Sequence, residues 1–252
     1  MPIWIEAVKN MSAKTGRSIS LFKFIVMLLL VLGLSGFNVL FSIQSVALDL
    51  DFYVSKWTEL GVPKSVGITM EDLERVGEHL LLYFTGDAPS PQLTVTINGT
   101  PTLMFEEHEI SHLEDVRMLF QSGLLAKHIC EGLIAIGIIL SAVINKCQDA
   151  VASIAKSLKA SAVILCAVVL IVTLAAILDF TSWWTSFHLI TFTNDLWILD
   201  PEVDRLIQIF PEGFFYSAVT KICVTSLVIA GVYFILSLLI NYLSSNYRKK
   251  HL

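Results

Sequence analysis

Charge is scarce in this sequence. Asp, Glu, Lys and Arg make up 15% of its 252 residues against 55% hydrophobic residues, and the mean hydropathy is +0.71. Such a balance excludes a chain that folds around one water-soluble core, because the apolar side chains outnumber the places such a core provides. Cysteine is sparse too. The four present, Cys130, Cys147, Cys166 and Cys223, form no C-x-x-C pair and lie in or beside apolar runs, which excludes a thiolate metal cluster and leaves buried, inert thiols. No G-x-S-x-G elbow occurs, so the sequence offers no serine nucleophile of that kind. A basic excess is missing as well, since the net charge is -5, and nucleic acid is excluded as a partner. There is no internal repeat and no low-complexity tract.

Long apolar runs take their place. Four are long enough to cross a bilayer, which requires about 20 apolar residues: 19–45, 124–144, 158–178 and 214–243. Each is expected to be a helix, because backbone groups facing lipid must bond within their own segment. Lys9, Lys14, Arg17 and Lys23 precede or enter the first run, Lys146 and Lys156 sit between the second and third, and Arg248, Lys249 and Lys250 follow the fourth. The positive-inside rule therefore puts 1–18, 145–157 and 244–252 in the cytoplasm, and 46–123 and 179–213 outside. Ser45-Val46-Ala47 resembles a cleavage site, but the preceding apolar core exceeds the about 7 to 15 residues of a secretory signal, so a retained anchor is expected.

The first outer segment has the makings of a small cap. Thr69 opens an amphipathic run that reaches Tyr83 and stops near Gly86, as a capped helix does. Alternation over 93–97, then Asn98-Gly99, then apolar residues at 102–105 predicts a hairpin. Asn98-Gly99-Thr100 also spells a glycosylation sequon, but the turn accounts for Asn-Gly without it. The expected architecture is a membrane all-α fold of four transmembrane helices with a small extracytoplasmic α+β cap.

At the end of that cap, His108-Glu109-Ile110-Ser111-His112 matches the H-E-x-x-H signature of zinc metalloproteases, which needs both histidines one turn apart on a helix. Ser111 and Glu114 have capping-box spacing, and a helix starting at Ser111 would leave His108 outside it. The zinc geometry then fails, and a third ligand would have to be Asp195 or His188 from the second outer segment. In that segment His188, Asn194 and Asp195 interrupt a run of bulky apolar residues. Trp183 and Trp184 read as interfacial aromatics, while Asp200-Pro201 and Asp204 read as turn and cap residues. Glu131, inside the second apolar run, has Lys127 one turn earlier as its expected partner.

The pattern F-H-x4-F-x-N-D-x-W-x-L-D-P-x2-D-x-L-I-x2-F-P-E-x-F-F over Phe187 to Phe215, together with His112-Leu113-Glu114-Asp115-Val116, resembles the bacterial lipoprotein intramolecular transacylase (Lit) family. The resemblance covers nearly the whole chain and uses the histidine at His112, not His108. It implies an acyltransferase of the cell membrane that moves the sn-2 acyl chain of a diacylglyceryl-cysteine lipoprotein to its N-terminal amine, giving a lyso-form lipoprotein. It implies His112 and His188 as acid/base residues. Asp115, three residues after His112, is a candidate to orient its imidazole, and Asn194 and Asp195 are candidates to orient His188 or bind the oxyanion and amine. Phe187, Phe192, Trp197, Phe214 and Phe215 are candidate walls for acyl chains. The expected partners are diacylglyceryl-modified lipoprotein and membrane lipid, with the chain a monomer and no cofactor or metal. The alternatives are a membrane zinc metalloprotease using His108, Glu109 and His112, and a non-enzymatic lipoprotein-binding membrane protein.

Overall fold

The computed structural model describes residues 3–144 and 147–250, and the side chains of 20–144 and 149–247. The side chains of Lys9, Lys14, Arg17, Lys146, Cys147, Arg248, Lys249 and Lys250 lie outside the described residues. In chain order the elements are α1 (Ile3–Ala47), α2 (Leu50–Glu59), α3 (Val62–Val66), α4 (Met70–Thr85), β1 (Thr94–Ile97), β2 (Thr100–Leu103), α5 (Glu107–Ile144), α6 (Cys147–Leu178), α7 (Phe180–Thr191), α8 (Arg205–Ile209) and α9 (Glu212–Lys250). Among the described residues, four helices are long and apolar enough to span a bilayer, within Ser20–Ala47, Glu107–Ile144, Asp149–Leu178 and Glu212–Tyr247. The chain is a multi-pass membrane protein.

These helices outrun the apolar stretches that predict them. At 1.5 Å per residue, the 38 residues of α5 extend about 57 Å, well beyond the ~30 Å of hydrocarbon. Its first turns carry Glu107, Glu109, Glu114, Asp115 and Arg117, so the crossing falls to the later, more apolar part that begins near 124 and carries only Lys127 and Glu131 as charged residues. Large apolar side chains stay exposed along the spans, with Val143 78% and Ile171 67% accessible, as a lipid solvent permits.

The chain divides into two compact units. One comprises Met1–Val39, Lys127–Ala167 and Leu227–Leu252. Its helices approach through small residues. A Cβ placed on Gly33 would lie 2.9 Å from Ile134 Cγ1, and one on Gly137 would lie 2.6 Å from Leu30 Cγ, so α1 and α5 meet where side chains are missing. Polar side chains cross-link the helices, with the Ser237 hydroxyl donating to the Ala155 carbonyl at 2.7 Å. Glu131 departs from expectation: its carboxylate meets His128 Nδ1 at 2.9 Å, not Lys127, because three residues along a helix serve as well as four.

The other unit comprises Leu40–Ala126 and Val168–Ser226. Its core gathers Trp57, Leu73, Val76, Leu80, Tyr83, Met104, Leu113 and Ile209. Trp57 is fully buried and its indole N–H donates to the Ile209 carbonyl at 2.7 Å, so the ring is packed without leaving a polar atom unpaired. Local signals hold in α4: the Thr69 side chain accepts from the Asp72 N–H, and Gly86 closes the helix at φ 100. In the hairpin, Asn98 (φ 50) and Gly99 (φ 81) form a two-residue turn, so Thr100 pairs directly with Ile97. The second strand is therefore 100–103 and not 102–105, since the short loop fixes the register.

Candidate active site

Helix α5 begins four residues before Ser111. The Glu106 N–H donates to Glu109 Oε2 at 2.7 Å, which is the reach-back half of a capping box one turn upstream of the expected one. The Ser111 hydroxyl instead donates to the Glu107 carbonyl at 3.0 Å. His108 and His112 thus both lie in the helix, and the expectation that His108 falls outside it is corrected. Other contacts separate the two. His108 Nε2 meets Asp204 Oδ1 at 2.8 Å, and Asp204 Oδ2 accepts from the Asp200 N–H at 2.7 Å. Glu109 Oε1 accepts from the Leu206 N–H at 2.7 Å, in the first turn of α8.

Glu109 therefore serves two helix starts at once. Its side chain is fully buried, and burial pushes its carboxyl pKa up while the Glu106 and Leu206 N–H groups pull it down. Sequence reading missed this use of the H-E half of the motif, and no local signal reveals it, because Leu206 lies 97 residues away. Among the described residues, no group of three or more His, Cys, Asp or Glu side chains converges as metal ligands do.

His112 turns the other way, towards α7. Its ring centroid lies 6.3 Å from that of His188, and both residues are buried, at 7% and 8% exposure. Phe192 closes over the pair, 5.3 Å from His112 and 5.7 Å from His188. His188 is held from several sides: Trp197 stacks on it at 4.9 Å, Trp184 meets it edge-on at 4.8 Å, and its Nδ1 faces the Trp184 carbonyl at 2.9 Å. A ring nitrogen facing a carbonyl carries the proton, so the neutral tautomer leaves the lone pair on Nε2. His112 Nδ1 is buried and has no hydrogen-bond partner among the described residues.

Burial pushes the His112 pKa down to about 4, the neighbouring His188 adds to that effect, and Asp115 opposes it. Burial also lowers His188, against the Trp184 carbonyl, which favours its protonated form. Both imidazoles are accordingly neutral near pH 7. For stability the sign follows from where protons bind. An unfolded His112 titrates near 6.5, so between pH 6.5 and about 4 the unfolded chain takes up a proton that the folded one refuses. The contribution, at most on the order of 3 kcal/mol, is complete above pH 6.5 and is lost as pH falls to about 4. The melting midpoint of the purified protein should drop across this window, and His112→Leu should flatten the drop.

Asp115 and Asn194 come together, but not as expected. The Asn194 amide donates to Asp115 Oδ2 at 2.8 Å, so the carboxylate bonds the second segment rather than the His112 ring. Asn194 Oδ1 accepts from the Leu196 N–H, making the amide a turn former as well. Asp195 is exposed and contributes its main-chain carbonyl to the Ile198 N–H. Asp115, Phe192 and Asn194 line a cavity of about 260 Å³, with Met118, Thr191 and Thr193.

The aromatic candidates divide. Phe187 and Phe215 stack on Trp184 at 5.1 and 4.3 Å, beside the histidines. Phe214 is 4% exposed and packs against Phe52, Tyr53 and Phe210, inside the core and away from any open wall. Trp184, read from sequence as an interfacial aromatic, proves to be the carbonyl partner of His188. Its position four residues earlier on α7 is the signal, visible once that segment is known to be helical.

Four apolar helices and a buried pair of neutral imidazoles among stacked aromatic rings define a membrane protein with a histidine-containing candidate site. The model of the family described as lipoprotein intramolecular transacylase Lit matches residues 11–215, and the chain belongs to that family of acyltransferases. Its fold is similar to that of the membrane-integral lipoprotein intramolecular transacylase Lit from Bacillus cereus, with TM-score 0.73 and 20% identity over 91% of this chain and 99% of that one. A variant of the Bacillus cereus protein with one histidine replaced by arginine aligns with TM-score 0.72 and 18% identity, over 95% of this chain and 99% of that one. Comparison with curated protein sequences gives no match.

Proposed function

We propose that this chain moves the sn-2 acyl group of a diacylglyceryl-cysteine lipoprotein to the free amine of the same cysteine, releasing a lyso-form lipoprotein. The observation that carries this reading is the meeting of His112 and His188, which come from two segments far apart in sequence and share one buried site. The amine nitrogen attacks the ester carbonyl carbon, a tetrahedral oxyanion forms, and the bond to the glyceryl oxygen breaks. One proton leaves nitrogen and one reaches the departing oxygen, so no net proton is consumed. His188, with its Nε2 lone pair set by the Trp184 carbonyl, is suited to accept the first. The proton it takes has to reach the glyceryl oxygen. Passed between the two rings, 6.3 Å apart, that proton makes His112, with its pKa depressed to about 4, a strong acid for the departing oxygen, and both imidazoles end neutral. Asn194, Asp115 and Asp195 are the candidates to bind the amine or steady the oxyanion, and the Phe187, Phe192, Trp197 and Phe215 rings are candidate neighbours of the acyl chains.

Donor and acceptor belong to one molecule, so no enzyme nucleophile is required, and holding them in reach lowers the barrier by several kcal/mol. A mixture of lipoproteins with heavy and light acyl chains should give N-acyl products that match their own glyceryl backbone when N-terminal peptides are read by mass spectrometry. Crossover between them, or an acyl group trapped on a protein side chain, would replace the direct route with a two-step transfer.

The Lys and Arg pattern supports a site on the outer face of the cell membrane, with both termini inside. Single cysteines placed at Gln92 and Glu202, with the native cysteines removed, should label from outside, and one at Asp149 should not. Outside labelling at Asp149 would contradict that orientation.

A further inference from the structure

A second cavity, of about 370 Å³, belongs to the unit that does not hold the histidine pair. Lys23, Phe24 and Met27 on α1 and Asp149, Ser153 and Lys156 on α6 line it. Lys23 and Met27 share a face of α1, four residues apart, and Asp149, Ser153 and Lys156 share a face of α6 at successive spacings of four and three residues. Neither lysine has a carboxylate within ion-pair distance among the described residues, although Asp149 lines the same cavity. Among the described residues, two ammonium groups and one carboxylate thus surround an open volume without pairing with one another, a net charge of plus one.

The surroundings narrow what would fill it. Lys23 lies near the start of the span within Ser20–Ala47, where the helix leaves the interface, and Phe24 beside it is 55% exposed. A ligand held here meets cationic groups at headgroup depth and apolar side chains one turn deeper. A free anion would use the former only. The neighbouring spans also end where the positive-inside pattern puts the cytoplasm, the leaflet in which anionic lipids act on basic sites between membrane helices.

We propose that this cavity is a binding site for an anionic glycerophospholipid whose headgroup carries hydroxyls, its phosphodiester held between Lys23 and Lys156 and its hydroxyls donating to Asp149. The charges balance, since one phosphodiester anion meets a net charge of plus one. A choline headgroup has no donor for Asp149 and brings a cation towards two lysines. The alkyl chains of the lipid run past Phe24 and Met27.

The test uses the whole protein in detergent, titrated with phosphatidylglycerol, phosphatidylcholine and inorganic phosphate, with bound lipid counted by native mass spectrometry. Phosphatidylglycerol should bind one to one and at least tenfold more tightly than phosphatidylcholine. Each lysine is expected to supply about fivefold, so the double substitution Lys23→Gln, Lys156→Gln should weaken phosphatidylglycerol about 25-fold. The Arg-for-Lys pair should retain binding, and Asp149→Asn should reduce preference for phosphatidylglycerol over phosphatidic acid, which has no headgroup hydroxyl. Retained transacylase turnover in the double variant would certify its fold. Equal binding of phosphatidylglycerol and phosphatidylcholine, or unchanged affinity in the folded double variant, would overturn the proposal. Displacement by millimolar inorganic phosphate would overturn the lipid assignment and leave a free-anion site.

Discussion

Alanine at His112 or His188 is expected to lower turnover by about 10²-fold or more in each case, since both proton transfers lie on one path and each is worth roughly 10² to 10⁴. The two rings share one enclosure, so the double variant should lose less than the product of the single effects. The loss should fall on kcat, because neither neutral imidazole supplies charge to hold substrate in the ground state. Buried histidines also fill space, so unfolding must be measured beside turnover. His188→Ala leaves the Trp184 carbonyl without its partner, and His188→Asn, which can keep that bond without supplying a base, separates packing from chemistry. Asp115→Asn should be milder, because Asp115 bonds Asn194 and acts on His112 only through its charge. Independent, multiplicative losses in the double variant would place the histidines in separate steps.

Much of this molecule is local chemistry and could be read along the chain. The four spans follow from apolar length, α4 from Thr69 and Gly86, and the hairpin from Asn98-Gly99, because each depends on neighbours within a few residues. The start of α5 shows where local reading stops. Ser111-x-x-Glu114 and Glu106-x-x-Glu109 have the same spacing, and local rules rank the serine first. The second box forms because Glu109 is also bonded to Leu206, a partner that the neighbouring sequence cannot display. Phe214 and Phe215 differ for the same reason: they are adjacent letters on α9, and one enters the core beside Tyr53 while the other stacks on Trp184. The joining of His112 and His188 was legible only through resemblance to a family. The pairing of Asp115 with Asn194 was not legible at all, since nothing in either segment specifies their separation.

The largest loss of stability should come from Glu109→Ala. The carboxylate accepts from two backbone N–H groups at helix starts, and its loss would leave the Leu206 N–H without a partner in a buried site and the Glu106 N–H without one in a partly buried site. At about 1 to 3 kcal/mol for each unsatisfied group, the cost is on the order of 3 kcal/mol or more, which threatens the marginal stability of a domain. Glu109→Gln preserves shape and one acceptor but turns an amide N–H towards a backbone N–H, so it should cost about half as much. His108→Ala should cost least, because that side chain is 47% exposed and its bond to Asp204 competes with water. Activity then distinguishes the two readings of H-E-x-x-H. A zinc protease needs the glutamate as its base and the first histidine as a ligand, so Glu109→Gln and His108→Ala would abolish turnover while the fold survived. In a transacylase that uses the glutamate as a brace, folded Glu109→Gln protein should keep turnover within a few fold, unfold earlier, and be indifferent to strong chelators. An inactive Glu109→Gln variant with an unchanged melting midpoint would remove the brace from the explanation and return the motif to metal chemistry.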